Sequence, residues 1–91
     1  MQIARVIGDV VTTVKDENLN GLTLLVLQPL DPDGKPSGRT LVAVDAVGAG
    51  VGETVLIVSG SSARMASGMK DCPVDAAIVG IVDHVDVNQG H

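Results

Sequence analysis

The chain contains no phenylalanine, tryptophan or tyrosine among its 91 residues. Aromatic side chains bury the most area each, so its core must be built from smaller aliphatic groups. A single domain of this length is only marginally stable alone, because it buries about 60–65% of its unfolded surface. Yet 45% of the residues are hydrophobic and the mean hydropathy is +0.37. We therefore expect part of the apolar surface to be buried between subunits.

Basic residues are also scarce. Six Lys and Arg stand against eleven Asp and Glu, which gives a formal net charge of −5. Nucleic-acid binding needs a basic footprint and usually aromatic side chains on which bases stack. Both features are missing, so we predict no nucleic-acid partner.

Cysteine occurs once, as Cys72, so no disulfide can form within the chain. A single thiol suits a reducing compartment. No run approaches the roughly eighteen apolar residues of a membrane helix, and the first residues lack the apolar stretch of a signal peptide. We expect a cytoplasmic protein with no membrane partner.

Catalytic and ligand-binding patterns are absent too. The glycines of Gly48-x-Gly50-x-Gly52 lack the spacing of a dinucleotide fingerprint, and no long helix follows them. We interpret them as positions of positive φ or of close backbone approach. The histidines, His84 and His91, have no paired nucleophile or metal-ligand spacing, and His84 is expected to be exposed. We predict no catalytic residue, no cofactor and no metal.

The chain does contain short runs of β-branched and leucine residues at regular spacing, which predict strands. We expect Gly8 to mark a bulge or a bend in the first strand. A serine followed by helix-forming residues predicts one short helix after Gly60. Together these patterns indicate one domain over residues 1–91, an all-β, five-stranded OB-like barrel with the helix between strands four and five. The five predicted strands cover residues 2–14, 22–30, 39–44, 54–58 and 74–87.

Arg64 follows a corner of small residues in that predicted helix. One interpretation is an exposed helix charge. The other is an ion pair between subunits with Asp45 or Asp75, because arginine can bind a carboxylate through two nitrogens. The sequence leaves both open.

Five segments resemble one known family, in order and over nearly the whole chain: MQIARVxGxVVxT at residues 1–13, LLVLQ at 24–28, DxVGAG at 45–50, GSSAR at 60–64 and PVDAAIV at 73–79. The chain is similar to the vertex proteins of bacterial microcompartments, the EutN/CcmL type. Thr54 and Cys72 depart from residues common in that family, and neither lies in its glycine or Ser-Ala-Arg motifs.

The resemblance implies a non-enzymatic homopentamer at the fivefold vertices of a carboxysome or metabolosome shell, whose facets consist of hexameric shell proteins. Around a fivefold axis each chain meets the next through two different patches. An OB-type module that binds a small ligand or nucleic acid is the alternative. We expect Ser59, Gly60, Ser61 and Ser62 near the central pore. The residues expected at the subunit interface are Asp45, Val47, Gly48, Ala49, Gly50, Arg64, Pro73, Val74 and Asp75.

Overall fold

The computed structural model of the protein describes residues 1–11, 22–60 and 75–88. Five strands form within these ranges, and their order around a closed barrel is β1-β2-β3-β5-β4. The predicted all-β barrel is thus confirmed, whereas the predicted helix lies outside the described residues. The strands are β1 (Gln2–Asp9), β2 (Thr23–Leu30), β3 (Leu41–Asp45), β4 (Thr54–Ser59) and β5 (Ala76–Ile81).

All neighbouring strands pair antiparallel except β3 and β5, which run parallel. The parallel pair is short, with Val44 opposite Ala77 and Asp45 opposite Ile78. The register of β1 against β2 shifts between Val6 and Gly8, which confirms the bulge predicted at Gly8.

Side chains alternate between the inside and the outside of the barrel. The largest fully buried side chains are Leu27, Ile57, Ile78, Val6 and Val55. Small residues accompany them inside, including Ala4, Ala43 and Ala76. A second cluster on the outer face joins one residue each of β3, β4 and β5, namely Val44, Val58 and Ala77. Apolar residues of these strands are therefore buried on the inner face of the barrel and, at these three positions, on its outer face as well.

The last strand is shorter than predicted. It ends at Ile81, whereas the sequence pattern continues to Val87. Ile81 lies opposite Val55, close to the first residue of β4. The last bond to that strand joins the amide of Val82 to the carbonyl oxygen of Thr54 at 2.8 Å. β5 ends there because its partner strand has ended.

Candidate subunit interface

The glycine-rich turn after β3 is organised by the carboxylate of Asp45. Its Oδ1 accepts hydrogen bonds from the backbone N–H groups of Val47 at 3.0 Å and Gly48 at 3.1 Å. Its Oδ2 accepts one from Ala49 at 2.9 Å. One side chain thus satisfies three consecutive amides that no strand pairs.

The turn closes one end of the barrel. Ala49 packs against the interior core cluster. Further along, the amide of Gly52 donates to the carbonyl of Val6 at 2.8 Å, and the amide of Val6 donates to Glu53 at 2.9 Å. The turn therefore runs from the end of β3 to the edge between β1 and β4. Within it, Ala49 is the residue that packs inward against the core. We call this end of the barrel the Asp45 end.

The glycines of this turn are not equivalent. Gly48 and Gly52 have φ values of 80° and 94°, which L-residues with a side chain rarely adopt. Gly50 does not have a positive φ. Among the described residues a Cβ at Gly50 would meet only Oε1 of Glu53, at 3.5 Å, apart from its chain neighbours. Positive φ is thus found at Gly48 and Gly52, and for Gly50 the approach of another chain's backbone stays a prediction.

Two valines of the turn face outward. Val47 is 39% exposed and Val51 is 66% exposed. Neither valine belongs to the buried core clusters of the described residues. They are available for contact with another chain.

Two of the residues predicted near the pore, Ser59 and Gly60, lie at the other end of the barrel. Ser59 ends β4 opposite Ala76, and the amide of Gly60 donates to the carbonyl of Asp75 at 2.9 Å. Gly60 has a φ of 65°, so its turn also requires glycine. Ser61, Ser62, Arg64, Pro73 and Val74 lie outside the described residues.

An open cavity of about 440 Å³ lies at this end. It is bounded by Gln2, Leu41, Val42, Ile57, Ser59, Asp75 and Ala76. Strand β4 separates this end from the glycine turn, because the turn precedes Thr54 and Ser59 ends the strand. The structure thus brings Ser59, Gly60 and Asp75 together and places Asp45 to Gly50 at the opposite end.

His84 is exposed, as the sequence predicts, and its Nε2 lies 3.3 Å from the carboxylate of Asp86. Both side chains are surrounded by solvent, so the pair contributes little to stability. Among the described residues no three His, Cys, Asp or Glu side chains converge as ligands of a metal ion would. No helix in this described part of the chain is long and apolar enough to cross a membrane.

Sequence reasoning missed two features. One is the role of Asp45 inside its own chain, for which the signal was an aspartate directly before a glycine-rich turn. The other is an apolar groove outside the barrel, for which the signal was the near-continuous apolar run in β2. Its lining residues include Ile3, Leu30, Leu56 and Val85.

A family model described as "Ethanolamine utilisation protein EutN/carboxysome" matches residues 1–83. The chain belongs to the EutN/CcmL family. Among its relatives, the carboxysome shell vertex protein CcmL of Synechocystis is 51% identical over 90 residues, 99% of this chain and 90% of that protein. The bacterial microcompartment shell vertex protein EutN of Escherichia coli K12 is 48% identical over 93% of this chain and 90% of that protein.

Solved structures of the family agree with the fold. The pentameric microcompartment shell protein GrpN from Rhodospirillum rubrum superimposes with a TM-score of 0.87 at 49% identity, covering 97% of this chain and 100% of that one. The CcmL structure from Gloeobacter violaceus gives a TM-score of 0.89 at 45% identity, over 97% and 91% of the two chains. Resemblance to both CcmL and EutN proteins is comparable, so it does not separate a carboxysome from a metabolosome.

Proposed function

We propose that this protein is a structural component of a bacterial microcompartment shell, which it joins as a homopentamer at the fivefold vertices. The observation that carries the proposal is similarity over nearly the full length to proteins named shell vertex proteins, at about half of all positions identical. A neighbour of the same fold is a pentameric shell protein. A flat sheet of hexamers closes into a polyhedron only where fivefold units are inserted, and the pentamer supplies them.

The same role accounts for the proposed absence of catalysis. The polar groups of the glycine-rich turn are used internally, since the Asp45 carboxylate accepts hydrogen bonds from three backbone amides. The proposed contribution of the protein to the shell is the fivefold geometry of its vertices. Its proposed neighbours are other copies of itself and, at the rim of the pentamer, hexameric shell proteins within a shell that lies in the bacterial cytoplasm.

We place the contact between neighbouring subunits at the residues singled out from the sequence. The turn residues Asp45 to Gly50 supply the exposed Val47, and the Ser59 end supplies Asp75, with Arg64, Pro73 and Val74 nearby in sequence. Ser59 to Ser62 are proposed to face the central pore. The separation of the two sets by the length of a strand suits a cyclic assembly, because each chain then offers two different patches.

The mass in solution tests the assembly. Light scattering should give about 46 kDa, five times the chain mass of 9.2 kDa, and electron micrographs should show fivefold rings. A monodisperse monomer at micromolar concentration would overturn the proposal.

Co-expression tests the position in the shell. Hexameric shell proteins of a microcompartment should form open sheets or tubes alone and closed polyhedra together with this protein. If the shells are equally closed without it, the protein is not their vertex.

A further inference from the structure

The outer face of β1 is covered unevenly. Ile3 points outward, because its neighbour Ala4 is fully buried inside the barrel. It lies opposite Leu30 of β2 and Leu56 of β4, and residues directly opposite each other share a face of the sheet. Ile7, on the same face of β1, is 48% exposed, whereas Leu30 is only 9% exposed. Leu30 belongs to neither core cluster, so it is covered from outside the barrel.

The chain after β5 crosses the outer face of β1. It leaves β4 at the hydrogen bond from the amide of Val82 to the carbonyl oxygen of Thr54, 2.8 Å long. Residues 82–85 then line a cavity of about 210 Å³ together with residues 32–34 of the loop after β2, and β1 contributes to the same cavity. We call residues 83–88 the strap, since they continue from β4 over β1 towards β2.

One side chain of the strap lies against the apolar outer face. Val85 lines the groove outside the barrel together with Ile3, Leu30 and Leu56. Val87, two residues further along, does not line this groove, although the two valines are exposed to similar extents, 43% and 46%. Val85 is therefore the side chain through which the strap contacts the groove.

Few other bonds hold the strap to the barrel. Within the part of the chain that the structure describes, residues 83–87 form no backbone hydrogen bond with the strands. The ion pair between His84 and Asp86 lies within the strap, so it adds no bond to the barrel. A segment with few buried apolar contacts and no backbone hydrogen bonds opens at a lower free energy than paired strands do.

We propose that the strap is a displaceable cover, which closes over the outer face of β1 through Val85 and opens while the barrel stays folded. Opening exposes three adjacent aliphatic side chains, those of Ile3, Leu30 and Leu56, and closing withdraws them from solvent and from other chains. The inner core is unaffected, because Leu30 lies outside both core clusters. The strap and its contacts lie within one chain, so the cover is independent of the proposed pentamer.

Thiol labelling measures the opening. In a Cys72→Ser background, which removes the native thiol, Leu30→Cys places a reporter under the strap and Ser37→Cys places one in the exposed loop after β2. We expect the thiol at position 30 to react with an aromatic disulfide reagent at least about tenfold more slowly than the thiol at position 37. Low urea concentrations should change the rate at position 30 only slightly, because local opening exposes little surface, whereas global unfolding depends steeply on urea.

Val85→Ser tests the contact that closes the strap. It removes the apolar side chain from the groove and should accelerate labelling at position 30 at least about fivefold, because the strap is open more often. The matched control is Val87→Ser, which makes the same change outside the groove and should alter the rate less than about twofold. Circular dichroism checks the fold of each variant, and Ile3→Cys replaces Leu30→Cys as the reporter if the latter unfolds the chain.

Four results would each overturn the proposal. Labelling at position 30 that is as fast as at position 37 would mean that the strap does not cover the outer face. A urea dependence equal to that of global unfolding would mean that the strap opens only when the barrel unfolds. Equal effects of Val85→Ser and Val87→Ser would show that Val85 does not close the strap. A rate that falls with rising protein concentration and is unchanged by Val85→Ser would show that another copy of the chain covers this face.

Discussion

Replacing Asp45 tests whether the glycine-rich turn is held by one carboxylate. In Asp45→Ala the three backbone amides of residues 47–49 lose their acceptor. A hydrogen bond to a charged group contributes about 1.5–3 kcal/mol when the group is desolvated. The amides of Val47 and Gly48 are exposed and regain water, so we discount their share strongly. The bond to Ala49 is half-buried, so its loss costs most of that amount. We expect Asp45→Ala to lower the free energy of unfolding by about 2–3 kcal/mol in total.

A second substitution at Asp45 separates the contributions of its hydrogen bonds to the free energy of unfolding. In Asp45→Asn the side-chain amide can turn so that its oxygen keeps the half-buried bond from Ala49. The NH₂ group then faces the exposed N–H groups of Val47 and Gly48, which can bind water instead. This variant should lose about 1 kcal/mol, less than half of the loss in Asp45→Ala. The order wild type, Asn, Ala is specific to a carboxylate that uses both oxygens.

Denaturant unfolding at several protein concentrations measures the effect, because a pentamer is stabilised by mass action and dilution separates that contribution. For a chain of this size each kcal/mol shifts Tm by about 4–8 °C. The control is Asp33→Ala, which removes the same charge from an exposed loop where Oδ1 accepts one long bond of 3.4 Å from Lys35. If Asp45→Ala is no less stable than Asp33→Ala, the carboxylate does not organise the turn.

Three further substitutions probe other parts of the molecule. Gly52→Ala should destabilise the fold by about 1 kcal/mol because of its positive φ, whereas Gly50→Ala should cost less than half of that; equal costs in denaturant unfolding would refute the distinction. Arg64→Ala should lower the pentamer fraction in light scattering more than Lys35→Ala, and equal fractions would make Arg64 a plain surface charge. Ala4→Leu should destabilise the barrel by about 1–3 kcal/mol through overpacking, and an unchanged Tm would mean that the interior has spare room.

Strand pattern and turn residues were enough to predict the five strands of the described residues, the barrel and the irregularity at Gly8. Strand positions depend on residues close together in the chain, and β2 was predicted within one residue of its start at Thr23. The end of β5 could not be predicted this way. Residues 82–87 have the composition of a strand, but a strand also needs a partner, and β4 begins at Thr54.

The role of Asp45 shows a second limit of sequence reasoning. A carboxylate in a chain expected to oligomerise invited an ion pair with Arg64. The structure shows that its two oxygens already accept bonds from three amides of its own turn. The choice between a local and a distant partner depends on backbone conformation, which for this turn is set by Gly48 in the left-handed region. Whether Asp45 also meets a neighbouring chain stays a prediction.

The absence of aromatic residues has a cause that composition alone did not reveal. A barrel narrows as its strand number falls, and eight strands already enclose only enough space for side chains to fill. With five strands the interior is narrower, and here alanines at positions 4, 43 and 76 share it with a few branched residues. Because so little apolar volume fits inside, the remaining apolar side chains must lie outside. The outer row of Val44, Val58 and Ala77 is buried within the chain, whereas the groove at Ile3 and Leu56 stays partly open. The small barrel therefore leaves apolar surface that a neighbouring subunit can cover, and this connects the composition to assembly.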